Sequence, residues 1–181
     1  MKKSVILLSW LLSISTVIVT QTATAQGDAS AGAGKVALCE TCHGPSGNSL
    51  IPANPKLAGQ NANYLIKQLN DYKSGARQDP TMSAMVASLS DQDILDIAAY
   101  YATQEVELSG ANPENLELGQ QLYRAGNDEI SAAACTACHA PNGAGNAPAG
   151  FPALGGQHME YTLNQLRAFR AGQRDNDMNS M

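Results

Sequence analysis

The chain has 181 residues, with 11 basic against 16 acidic side chains, a net charge of −5 and four cysteines. A net acidic chain binds nucleic acid and anionic membrane surfaces poorly, so those partners are excluded and any electrostatic docking is expected on a basic patch of another protein. The length allows one ordinary domain or two small ones.

Residues 1–25 read as an export signal rather than as part of the fold. Lys2 and Lys3 form a basic start, Val5 to Val19 is mainly apolar, and Ala23-Thr24-Ala25 meets the small-residue cleavage rule, so the mature chain is expected to begin at Gln26. The apolar stretch is short for a bilayer span and is interrupted by Ser9, Ser13, Ser15 and Thr16. No second such stretch follows, so the mature protein is expected to be soluble, not membrane-spanning, and periplasmic. Cleavage leaves 156 residues with 9 basic and 16 acidic side chains, a net charge of −7.

Gln26 to Leu38 is rich in Ala and Gly. Asp28 is placed to cap a short helix carrying Val36 and Leu38 towards a core. Cys39-Glu40-Thr41-Cys42-His43 follows, and Cys135-Thr136-Ala137-Cys138-His139 repeats its pattern. C-x-x-C-H is the attachment signature of c-type haem. Two thiols three positions apart can each form a thioether with one vinyl group of a single porphyrin. The adjacent histidine then reaches the iron. The two copies use all four cysteines, which leaves none for a disulfide framework. A redox C-x-x-C would need a βαβ context that neither copy has. A structural zinc site would bring its Cys pairs within about 20 residues, whereas 92 residues separate Cys42 from Cys135. Two covalently bound haem c groups are therefore expected, on Cys39 and Cys42 with His43, and on Cys135 and Cys138 with His139.

Past the first motif, Gly44 to Asn48 reads as a turn. A helix is predicted over roughly Asn61 to Ser74, stopped by Gly75, with Leu65, Leu69 and Tyr72 on one face. Asp79-Pro80-Thr81-Met82 reads as a loop. Ser90 opens the next helix, with Asp93 completing a capping box and Ile94, Ile97, Ala98 and Tyr101 forming an apolar face. Residues 105–116 read as a linker. Pro113 to Ala125 reads as the first helix of a second unit, and Gly126 to Ser131 as an insertion ahead of Cys135.

The second unit repeats the first. Pro55, Leu57, Gly59, Gln60, Tyr64, Gln68, Leu69, Gly75 and Arg77 recur as Pro152, Leu154, Gly156, Gln157, Tyr161, Gln165, Leu166, Gly172 and Arg174, all at an offset of 97. A period of that size means a duplicated domain, not a solenoid. The expected organisation is all-α: a signal at 1–25, one domain at 26–104, a linker at 105–116 and a second domain at 117–181. A domain of about 80 residues needs a staple, and a covalent haem supplies one. No counterpart of the Ser90–Gln104 helix follows Arg174, so the second domain is expected to lack its last helix, the sequence being either a fragment or shortened by an early stop. Less apolar packing on one face of the second haem is expected with it. His158 reads as a surface residue at a helix start, Tyr64 and Tyr161 as core with hydroxyls towards a haem propionate, and the acidic residues as solvated surface.

These residues resemble the cytochrome c4 family of periplasmic dihaem electron carriers. The likeness rests on the two C-x-x-C-H sites, the paired P-x-L-x-G-Q segments, the paired Gln-Leu helices and Leu89-Ser90-Asp91-Gln92-Asp93. It implies two tandem cytochrome c-like domains, each wrapped around one haem with His/Met axial ligation. His43 and His139 are then the proximal ligands, and the carbonyls of Pro55 and Pro152 accept a bond from each ligand's other ring nitrogen. Met82 is the implied distal ligand of the first haem, with Met85 as its competitor. For the second haem the offset maps Met82 onto Asn179, which cannot serve; Met181, Met178 or a residue beyond the end of the sequence remain. The resemblance also implies electron transfer from the quinol-oxidising bc complex towards terminal oxidases, with no catalytic residues and no small-molecule substrate. Two other readings stand beside the carrier. One is a dihaem peroxidase-like enzyme with an open second iron. The other is an electron-transfer subunit of a larger periplasmic oxidoreductase.

Overall fold

The computed structural model describes residues 27–177; the expected export signal, Met178 and Met181 lie outside the described residues. The architecture is helical: no β-strand occurs among the described residues, only two isolated bridges, Asn127 with Ala132 and Asn146 with Phe151. No helix there is long and apolar enough to cross a membrane.

The first domain holds five helices: α1 (Ala29–Ala33), α2 (Ala37–His43), α3 (Ala62–Ser74), α4 (Pro80–Val86) and α5 (Asp91–Ala102). Asp28 caps α1 by accepting from the Ser30 and Ala31 N–H groups. The chain then breaks at Gly34 and restarts as α2, which carries the first haem motif. Val36 is buried as expected, but Leu38 is 60% exposed. Val36 is the cap residue of α2 and Leu38 lies two positions on, about 200° round the helix, so the two do not share a face. Helix α3 ends at Gly75 in the left-handed conformation, which glycine adopts without a Cβ penalty. Ser90 and Asp93 form the expected reciprocal capping box at the start of α5.

Helix α5 is the centre of this domain. It packs on α1 and α3, and Ile97, Ala98 and Tyr101 join Val36 and Leu65 in the buried cluster. The crossing with α1 is close: a Cβ on Gly32 would lie 2.1 Å from the Asp96 carbonyl oxygen, so only glycine fits there.

The acidic residues are not all solvated surface. Asp96 is only 3% exposed. It accepts from the Asp28 N–H at 2.9 Å, the Lys35 ammonium at 2.6 Å and the Gln92 amide at 2.8 Å. The Asp28 backbone N–H first, then Lys35 and Gln92, hold its carboxyl down to about 2 from an ordinary 3.8. A carboxyl depressed by folding contributes stability that is present above its unfolded pKa and lost as pH falls through the folded one. Acid unfolding of the first domain is therefore expected to include a component between about pH 3.8 and about pH 2. Thermal melts across that range should show it, and the slope should flatten in an Asp96→Asn variant.

The second domain holds α6 (Leu116–Ala125), α7 (Thr136–His139) and α8 (Met159–Arg170). A 3-10 turn, Pro113–Asn115, precedes α6, and another, Asp128–Ile130, lies in the expected insertion. Among the described residues, every fully buried apolar side chain belongs to the first domain. The large apolar side chains of the second, including Leu122, Phe151, Leu154 and Phe169, instead line a cavity.

Residues 105–108 lie across both domains. Asn48 bonds the Glu105 carbonyl and the Glu107 N–H, and the Lys56 ammonium bonds the Glu107 carbonyl. Val106 packs at Gly59 and Gly156, where a Cβ on Gly156 would come within 2.9 Å of it. The segment is thus held as a strap rather than left as a free connection.

Candidate haem sites

The two C-x-x-C-H motifs arise from unlike local structure. The first closes a seven-residue helix, α2, while the second occupies the four-residue helix α7. Both deliver the same arrangement. The His43 Nδ1 lies 2.8 Å from the Pro55 carbonyl oxygen, and the His139 Nδ1 lies 2.9 Å from that of Pro152. A carbonyl can only accept, so each Nδ1 carries a proton, and in the neutral ring that tautomer leaves Nε2 as the nitrogen available to a metal. Burial pushes the His43 imidazole towards its neutral form, which is the ligating one. The Phe151 ring stands edge-on to His139, with centroids 5.9 Å apart.

All four thiols are free of disulfides, and with both histidines they line one cavity of about 1420 Å³. That exceeds the ordinary range for a single small-ligand site, roughly 300–1,000 Å³. Its walls are mostly apolar, and Tyr101, only 1% exposed, reaches it with a buried hydroxyl that finds no protein partner. Paired thiols, an adjacent imidazole fixed through Nδ1 and an apolar enclosure fit a covalently attached haem at each motif.

Met82 and Met85 both line the cavity. Met82 was expected in a loop, but it lies in α4. Asp79 caps this helix by accepting from the Met82 N–H at 2.9 Å, and Pro80 occupies its first position. Aspartate at the cap and proline at the first position are a helix start, and that signal was present in the sequence. Three residues apart on one short helix, both thioethers face the same side. Met181 and Met178 lie outside the described residues.

Tyr64 and Tyr161 are half-buried, and their hydroxyls face the other domain rather than their own core. Arg77 donates to the Tyr161 hydroxyl at 3.1 Å, to Gln165 at 2.9 Å and to Gln68 at 2.7 Å. Arg174 returns the pattern to the Tyr64 hydroxyl at 3.1 Å, to Gln68 at 3.1 Å and to Gln165 at 2.8 Å. Gln60 pairs with the Ala153 backbone and Gln157 with the Lys56 backbone, each through both amide atoms. The 97-residue offset relates every one of these pairs. The domains therefore meet about a local two-fold, using the same patch twice. His158 also faces the partner domain: it stands at the cap position of α8, and its Nε2 lies 2.8 Å from the Ser49 carbonyl oxygen. The sequence held a signal for this interface. Gln60, Gln68 and Arg77 recur unchanged in the second copy although a glutamine or arginine has no part in C-x-x-C-H chemistry.

Two helical domains, each presenting C-x-x-C-H to a shared apolar cavity, define a dihaem c-type cytochrome. The comparisons with known proteins agree. The cytochrome c family profile matches residues 29–105 and 116–179. Cytochrome c4 of Stutzerimonas stutzeri is 48% identical over 97% of this chain and 87% of its own. The crystal structure of reduced recombinant cytochrome c4 from Pseudomonas stutzeri superposes with a TM-score of 0.82 at 50% identity, covering 85% of this chain and 86% of that one. A thiosulfate dehydrogenase electron acceptor of Stutzerimonas stutzeri (strain A1501) is 38% identical over 79% of this chain and 68% of its own. The chain belongs to the cytochrome c4 family, and it is an electron carrier with two covalent haems.

Proposed function

We propose that this chain is a periplasmic carrier that accepts electrons from the quinol-oxidising bc complex and delivers them towards terminal oxidases. Cys39 and Cys42 attach the first haem and Cys135 and Cys138 the second. His43 and His139 are the proximal ligands, and Met82 is the distal ligand of the first haem. Met181 is the distal ligand of the second, with Met178 or a residue further on as the alternatives. When bound, each haem supplies one ferric/ferrous couple, so the chain holds two electrons.

The observation that carries this reading is the single apolar cavity shared by both motifs. Its lining is mostly apolar, and Pro55 and Pro152 fix the two imidazoles through Nδ1. A thioether in the sixth position raises the potential and leaves no open coordination site for a substrate. The acidic surface favours partners with a basic patch. The test is a visible and near-infrared spectrum of the isolated protein, with a pyridine haemochrome count and carbon monoxide added to the reduced form. Two haems per chain, methionine–iron charge transfer at both and no carbon monoxide binding are expected. One haem that takes carbon monoxide would limit the carrier reading to the other.

The likeness to a thiosulfate dehydrogenase electron acceptor favours a second reading, in which a periplasmic dehydrogenase is the donor. Stopped-flow reduction by the two classes of donor separates the readings.

A further inference from the structure

The two-fold between the domains is broken where the chain follows Arg174. At the 97-residue offset Asp79 corresponds to Asn176, Lys67 to Asn164 and Asp71 to Ala168. Asp79 is exposed and only caps α4. Asn176 is 9% exposed and turned into the interface. Its amide donates to the Asp71 carboxylate at 2.5 Å and to Gln68 at 3.1 Å, and its side-chain oxygen accepts from Arg174 at 2.9 Å. The Lys67 ammonium bonds the Asn176 backbone carbonyl and also pairs with Asp71. Every polar group of Asn176 named here finds a partner, and most of those partners lie on α3 of the first domain. The first domain receives nothing equivalent in return, because Asn164 and Ala168 carry neither the ammonium nor the carboxylate.

The segment held in this way has a specific place in the repeat. Residues 174–177 match 77–80, the stretch that leads into the Met82 helix. Arg174, Asn176 and Asp177 all line the cavity. We propose that Lys67 and Asp71 of the first domain hold the 174–177 segment in position, so that the distal side of the second haem is set in part from across the interface, whereas the matching 77–80 segment has no such hold at Asp79. Lys67, Asp71 and Asn176 are positioning residues; none is assigned contact with a haem. A buried asparagine with satisfied partners holds its backbone in place, and removing one partner leaves the other group unpaired at a cost.

The proposal rests on the two haems being held as proposed above. A wild-type protein with fewer than two haems overturns that reading, whereas the present proposal is tested with both in place. The experiment is redox titration and near-infrared charge-transfer spectroscopy on the full-length holoprotein of Asp71→Ala, Asn176→Ala and the conservative Asp71→Asn. Nuclear magnetic resonance assigns each haem by its contacts to Tyr101 or to Phe151. The expected result is a displaced potential and a weakened methionine–iron charge-transfer band at the Phe151-side haem alone, with Asp71→Asn intermediate. Loss of an interface contact that served stability only would move both haems together or neither, and either outcome overturns the proposal, as does a change confined to the Tyr101-side haem. Where Asp71→Ala does not accumulate, Lys67→Met removes the ammonium, keeps the packing stem and is read in the same way.

Discussion

Replacing Met82 by alanine is expected to abolish the methionine–iron charge-transfer band of the first haem, open that iron to carbon monoxide and lower its midpoint by roughly a few tenths of a volt. The magnitude follows from axial ligation, which spans about 0.8 V across haem proteins. A soft thioether favours the ferrous state, and a water or hydroxide in its place favours the ferric. Helix α4 supplies the mechanical part. Asp79 and Pro80 fix its start, so the side chain at Met82 is held by a capped helix rather than by a loose loop. Met85 lines the same cavity one turn further on. Met85→Ala is expected to leave the first haem six-coordinate, and its potential should move much less. The opposite ranking of the two variants would make Met85 the ligand. Spectroelectrochemical titration of each variant measures both quantities, and the second haem serves as the internal reference.

Ile97→Ala is expected to destabilise the first domain by about 2–5 kcal/mol, the usual cost of truncating a buried isoleucine. Ile97 is 3% exposed and sits where α5 meets the buried cluster of Val36, Leu65, Ala98 and Tyr101. The cavity left behind lies between helices that close packing holds apart, so collapse around it is limited. For a domain of this size the melting temperature should fall by about 10 °C or more. Calorimetry on the holoprotein checks it. Leu118→Ala on the exposed side of α6 is the control, expected to stay within about 0.5 kcal/mol. A small effect at Ile97 would mean that the haem, not the α1–α3–α5 packing, holds the first domain together.

Where the sequence was legible, the signal was local. Ser90 and Asp93 are three residues apart, and their capping box depends on nothing beyond the first turn of α5. Gly75 ends α3 because only its own backbone must turn left-handed. Cys39-Glu40-Thr41-Cys42-His43 reads as a haem site because its chemistry is contained in five consecutive residues. The misreadings came from outside that range. Leu38 shares a stretch with Val36 but not a face, because two positions are about 200° apart at the start of α2. Asp96 looked like one more surface carboxylate until Asp28 and Lys35, more than sixty positions earlier, closed over it. Met82 is the exception: its helix start was local and was read as a loop, since proline and aspartate also mark turns.

By itself, then, the sequence determined the covalent chemistry, the duplication and the helical class, because each is written in residue type and spacing along the chain. What only the tertiary structure decided is how the copies meet. Arg77 and Arg174, Gln68 and Gln165, Tyr64 and Tyr161 could each have served their own domain. Folding instead crosses them over, because a buried guanidinium needs several acceptors at once and the partner domain supplies those its own helix lacks. The departure from that symmetry at Lys67, Asp71 and Asn176 is likewise invisible in the linear order. It exists only where residues more than a hundred positions apart come within hydrogen-bonding distance.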